Sequence, residues 1–350
     1  MWILSNGTHR TEDNNEGVIV IEQSYNGKQY LFDSDIFYDI SALCSQISDG
    51  LLKRLFDEDE YYNKIALEPW WFLAAGIDSE LTVSKEGYEA ILADFKGEEK
   101  DEKDDGVNCE ITEYKNAVAK MFTPISKYIY LYDLRTFLSH IQNDLLLIQQ
   151  NFIDFYTLLV EENEMEAHIE KVDDIKYHFI SGGATVKIYN ALNAIIITCN
   201  SVFDLLAKLL YEVRNMESVF GDKIVKFKSG HTLFCCDRND RCTKGLSKEN
   251  SIFESNRSIK IFTELRNELV HNSTWQSVNK IYYKYENGKL VEKFILMPDF
   301  DETGKLVRSG NRNRFFSQGN KINILLPEML QDIFKRIYAT LELINSTLTD

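Results

Sequence analysis

The 350-residue chain has 39 basic and 55 acidic side chains, a formal net charge of −16, with 44% hydrophobic residues and only four prolines. That length buries one large core or two smaller ones, and the composition excludes a disordered or fibrous chain. Its six cysteines, Cys44, Cys109, Cys199, Cys235, Cys236 and Cys242, follow no framework spacing, which excludes a disulfide scaffold and fits a reducing compartment.

The opening MWILSNGTHR has too few apolar residues for a signal peptide. The most apolar windows, near 145–153 and 191–203, are too short or too often broken by polar residues to span a bilayer. A cytoplasmic protein with no membrane partner is expected. Charge is divided unevenly. Residues 1–170 have 13 basic and 34 acidic side chains, net −21, whereas residues 171–350 have 26 and 21, net +5. A basic half can attract phosphate while an acidic half masks it or binds a regulatory partner.

In chain order, 18–23 and 29–32 flank Asn26-Gly27 and read as a β-hairpin, because Asn-Gly favours the primed turns that match strand twist. From residue 34 to about 62 the pattern is helical, with Ile36, Ile40, Leu43, Ile47, Leu51 and Leu55 at three- and four-residue intervals. Pro69-Trp70-Trp71-Phe72 is an aromatic knot suited to a core, and 98–106, EEKDEKDDG, is a charged linker. These divide the chain into an acidic α+β region, 1–120, and a helical region, 121–350.

The helical region contains four long patterns, near 124–165, 184–218, 251–272 and 327–348, the last with Pro327 at a first-turn position. Four such helices predict a mainly α fold, an antiparallel bundle. Between the third and fourth, 280–285 and 290–296 flank Asn287-Gly288, a second hairpin. It belongs to an insert spanning about 276–323, which includes Lys305, Arg308, Arg312, Arg314 and Lys321 around Phe315 and Phe316. These residues suit single-stranded RNA, through charge and stacking. Lys223, Lys226, Lys228, Arg238 and Arg241 form another basic group. His231 with Cys235, Cys236 and Cys242 lacks any CxxC pair and is expected to be ordinary thiols rather than a zinc site; no metal or cofactor is expected.

The third helix carries the chemistry, in IFTELRNELVHNSTW. At about 100° per residue, Ile261, Phe262, Leu265 and Leu269 form one apolar arc. With Arg266 at 0°, Asn267 falls near 100° and His271 near 140°, so Asn267 and His271 share a face at i,i+4 while Arg266 borders the apolar arc. A guanidinium there needs an acidic partner or an anionic ligand.

LRNELVHN resembles the signature of the HEPN superfamily, in which Arg is followed after four to six residues by His, commonly with Asn next to the arginine. The resemblance covers about residues 125–350. It implies a four-helix bundle with the motif on the third helix, metal-independent endoribonuclease activity in a toxin or antiviral effector, and two motifs paired across a homodimer. Spacing alone is weak, since Arg135 and His140 in LRTFLSH share it; they are expected on a solvated face, His140 beside Asp144. The motif at 266 is set apart by Asn267, by the helix-end position of His271 and Asn272, and by Asp204 in the preceding helix. Asp204 resembles the family's polar position facing the arginine.

The chemistry suits RNA, which carries its own nucleophile. A histidine can move the 2′-OH proton, and an arginine can hold the non-bridging phosphate oxygens by two parallel hydrogen bonds. Asn267 would orient His271 or the phosphate. The alternative is a non-catalytic HEPN module for dimerisation or nucleotide binding, with Arg266, Asp204 and His271 in a buried polar network.

Overall fold

The computed structural model describes residues 2–5, 9–10, 18–23, 28–33, 35–55, 108–161, 176–219 and 242–349. Five helices dominate these described residues: α1 (Asp35–Leu55), α2 (Asn108–Glu161), α3 (Gly183–Val219), α4 (Arg257–Asn272) and α5 (Ile322–Thr349). Cross-contacts give their directions. Tyr130 bonds Glu212 and Lys208 caps the Phe137 ring, while Gln142 bonds Ser41 and Arg135 shares a cleft with Ser48 and Asp49, so α2 runs antiparallel to both α3 and α1. Asn200 of α3 donates to the Phe262 carbonyl, while Tyr189 meets Trp275 and Arg214 reaches the Cys242 carbonyl, so α4 is antiparallel to α3. Phe37 meets Phe334 and Arg54 reaches Thr347, so α5 is parallel to α1. Helices α2 to α5 therefore alternate in direction, as the sequence predicts, with α1 as a fifth member.

The apolar stripe of α1 is buried in the same core as those of α2, α3 and α5. Residues 120 and 121, the expected division, lie inside α2. Helix α1 thus belongs to the bundle, and the description of 1–120 as a separate region is corrected. Helix α3 is central. Ile188, Leu192, Ile195, Cys199, Val202, Leu206 and Leu210 are buried, and so are Tyr189, Ile196, Phe203 and Leu209 beside them. A helix apolar on two sides is one packed between neighbours, here α2 and α4. Its span Thr185–Met216 is long and apolar enough to cross a membrane by length and composition, which corrects the sequence reading, although 56% of the most apolar window is buried inside the protein.

The strands among the described residues form two sheets. Strands β1 (Trp2–Ser5), β2 (His9–Arg10), β3 (Val18–Gln23) and β4 (Lys28–Asp33) lie in the order β2-β1-β3-β4. The predicted hairpin is β3–β4, and β1 pairs parallel to β3. The second sheet is β5 (Lys176–Ile180), β6 (Ile281–Glu286) and β7 (Lys289–Phe294), antiparallel throughout. Asn287 (φ 51°) and Gly288 (φ 72°) form the two-residue turn, both in the left-handed region that this hairpin type requires. The hairpin was expected; its third strand was not.

Helix α5 begins five residues before Pro327, which places the proline inside the helix. Proline has no N–H for the carbonyl four residues back, that of Asn323. The Tyr156 hydroxyl donates to that carbonyl at 2.6 Å and replaces the missing bond. The aromatic knot at 69–72, the linker at 98–106, the basic group at 223–241 and His231, Cys235 and Cys236 lie outside the described residues.

Candidate active site on the fourth helix

Both ends of α4 are fixed by its own sequence. The Asn256 side chain accepts the Ile259 N–H at 3.0 Å, so the helix begins at Arg257 rather than near 251. At the far end Ser273 takes φ 66° and its N–H bonds the Leu269 carbonyl at 3.0 Å, ending the helix just after His271 and Asn272. The approach to α4 is tied to α5. Arg336 pairs with Glu254 at 2.7 Å and with Asp332 at 3.1 Å, and donates to the Ser251 carbonyl. Ile261, Phe262, Leu265 and Leu269 are buried, as the apolar arc predicts.

Arg266 is half-buried and donates through Nη1 to Asn267 Oδ1 at 3.2 Å. It has no ion pair with a carboxylate among the described residues. The bond has a geometric consequence. Arg266 leaves the helix about 140° from His271, but Asn267 lies only about 40° from it. Asn267 therefore draws the guanidinium around the helix toward the histidine's face. Its role as seen is to orient Arg266, where the sequence pointed to His271 or the phosphate. His271 itself is exposed.

Asp204 does not face Arg266. Asn200 stands level with Phe262 and the two helices are antiparallel, so the level of Arg266 on α3 is near Ile196. Asp204 lies two turns away, about 12 Å along the axis. It is half-buried. The expected carboxylate opposite the arginine is thus displaced, because helix direction reverses the alignment.

A second polar cluster adjoins His271, and the sequence reading missed its centre, Glu268. This buried carboxylate accepts from Asn272 at 3.0 Å and Asn313 at 2.7 Å, and lies 3.8 Å from Arg314. Arg314 also donates to the Thr274 carbonyl at 3.4 Å. One turn earlier Glu264 pairs with Lys260 at 3.5 Å and Arg308 at 3.3 Å. Gly304 seats the insert against the first turn of α4, where a Cβ would lie 2.6 Å from the Arg257 carbonyl oxygen. The signal available in the sequence was Glu264 and Glu268 at i,i+4, the second of them within one turn of His271.

The basic insert is consequently not a free electrostatic arm. Arg308 and Arg314 face α4 glutamates, and Lys321 holds both oxygens of Glu292 at 2.5 and 2.6 Å. Arg312 lies over the Phe315 ring, and Lys305 is exposed on a turn closed by Asp301. Asn272 supports Glu268, and Arg314 adds a second guanidinium at the His271 end of α4. The competing pair separates: His140 is exposed, but Arg135 is half-buried in a cleft with Cys44, Ser45, Ser48, Asp49, Ser139 and Gln142, correcting its assignment to a solvated face. Comparison with family models, curated proteins and solved structures returned no match.

Proposed function

We propose that this chain is an endoribonuclease of HEPN type that needs no metal ion, acting in the cytoplasm as a toxin or antiviral effector. The observation that carries the reading is the Arg266–Asn267 bond, which turns a guanidinium with no carboxylate partner among the described residues toward the face of the exposed His271. A merely structural network would bury the histidine, and it is exposed.

In this reading neutral His271 takes the 2′-OH proton as the 2′ oxygen bonds to phosphorus. Arg266 holds the non-bridging oxygens as their charge grows, with Arg314 close by for the neighbouring phosphate. The P–O5′ bond breaks, and the 5′ oxygen takes a proton from the protonated histidine of a second copy. Products are a 2′,3′-cyclic phosphate and a 5′-OH. Val270, 53% exposed and next to His271 on the helix, supplies apolar surface for that homodimer.

The test is cleavage of mixed RNA in EDTA by the parent chain and by His271→Ala and Arg266→Ala. EDTA-resistant cleavage that each substitution lowers by about 100-fold or more supports the assignment. Cleavage that neither changes refutes the site, and RNA left intact by the parent favours a non-catalytic HEPN module.

A further inference from the structure

The β5-β6-β7 sheet has two unlike faces. Ile281, Tyr283 and Tyr285 of β6 are buried against the bundle, and strand alternation sends Tyr282 and Lys284 to the other side. On that outer side the register aligns Phe179 with Tyr282 and Tyr282 with Phe294. Tyr282 and Phe294 are stacked, with centroids 5.3 Å apart and planes 13° apart. Phe179 extends the row at 6.1 Å from Tyr282, and Tyr177 flanks it at 6.4 Å from Phe294. The two β5 rings are open, with Tyr177 60% and Phe179 53% exposed.

Cations accompany the rings. Lys280 Nζ stands 4.7 Å from the Phe179 centroid and Lys321 Nζ 4.4 Å from that of Phe294. Lys321 and Lys284 are neutralised by Glu292 and Glu286, but Lys280 has no ion pair among the described residues. Tyr189 bonds the Lys280 carbonyl, and Trp275 and Gln276 both bond the Leu296 carbonyl. These bonds anchor the sheet to the segment leaving the His271 end of α4.

We propose that this outer face binds single-stranded RNA, stacking bases on Phe179 and Tyr177, with Tyr282 backing the row, while Lys280 meets a phosphate. Flat rings open to solvent match the π-faces of unpaired bases, which a duplex keeps inside its own stack. The cationic side chain beside them, in the half of the chain with net charge +5, complements phosphate rather than an acidic protein's apolar patch. The choice of RNA rests on the ribonuclease reading; the stacking surface does not.

The experiment uses the full chain carrying His271→Ala, so that RNA survives, and fluorescence anisotropy with labelled oligo(U) of about 12 nucleotides. A hairpin duplex of equal length is the comparison. Expected are tighter binding to the single strand, a loss of about 5- to 100-fold in Tyr177→Ala/Phe179→Ala, and recovery in Tyr177→Phe/Phe179→Tyr. Lys280→Ala should reduce the slope of log affinity on log salt by about 0.7. Equal affinity of the double-alanine variant, or no binding by the parent, overturns the proposal and leaves the face to a protein partner. Binding through these rings by the His271→Ala chain, with no cleavage by the chain that keeps His271, keeps the sheet and refutes the ribonuclease. Cleavage by the chain that keeps His271, with affinity in the His271→Ala chain unmoved by the double-alanine change, keeps the ribonuclease and refutes the sheet.

Discussion

Tyr156→Phe removes one oxygen and leaves the ring contacts with Phe152 and Phe155 in place. The oxygen lost is the donor to the Asn323 carbonyl at 2.6 Å, in a site where both residues are buried. Because Pro327 has no N–H, the carbonyl loses its partner from the helix as well. Leaving such a buried acceptor unsatisfied costs about 1–3 kcal/mol. Pro327→Ala restores a backbone N–H four residues along, so in that background the same tyrosine change should cost well under half as much. The double-mutant cycle then shows a coupling of about 1 kcal/mol or more. Urea unfolding of the parent, both single variants and the double variant measures it, with slopes that stay equal if only stability changes. A Tyr156→Phe cost below about 0.5 kcal/mol, or one unchanged by Pro327→Ala, would refute the repair role of the hydroxyl.

Three further outcomes follow from the structure. Asn267→Ala should lower kcat for RNA cleavage about tenfold with KM little changed, because it releases the guanidinium without unfolding the helix. Asn256→Ala should cost about 1 kcal/mol in chemical denaturation, through loss of the cap on Ile259. Burial pushes the Asp299 carboxyl up, but hydrogen bonds from the Ser317 hydroxyl and from the Gln318 and Ser317 N–H groups outweigh it and hold it below the usual carboxylate value. That stabilisation is complete above the unfolded value near 4 and is lost as pH falls through the lower native one, so Asp299→Asn should flatten the acid limb of a stability–pH curve.

The helices were legible in the sequence from apolar residues at three- and four-residue spacing. Helix α1 followed from Ile36, Ile40, Leu43, Ile47 and Leu51, and the second hairpin from Asn287-Gly288. What it did not reveal depends on distant partners. The early start of α5 rests on a hydroxyl 167 positions away, which no local pattern can supply. Strand β5 is five residues long and pairs with a strand more than a hundred residues on, and its alternation is too short to distinguish from loop. At the site, Arg266, Asn267 and His271 were visible as a motif. The displacement of Asp204 was not, because it depends on helix direction, and Glu268 was hidden because its partners Asn313 and Arg314 come from the insert.

The chemistry of the RNA ends tests the central claim most directly. Single-turnover cleavage in EDTA should leave a 2′,3′-cyclic phosphate and a 5′-OH that polynucleotide kinase labels without prior phosphatase treatment, with the yield abolished in both His271→Ala and Arg266→Ala. A 5′-phosphate end, or cyclic-phosphate product at parental yield from either variant, would contradict the account.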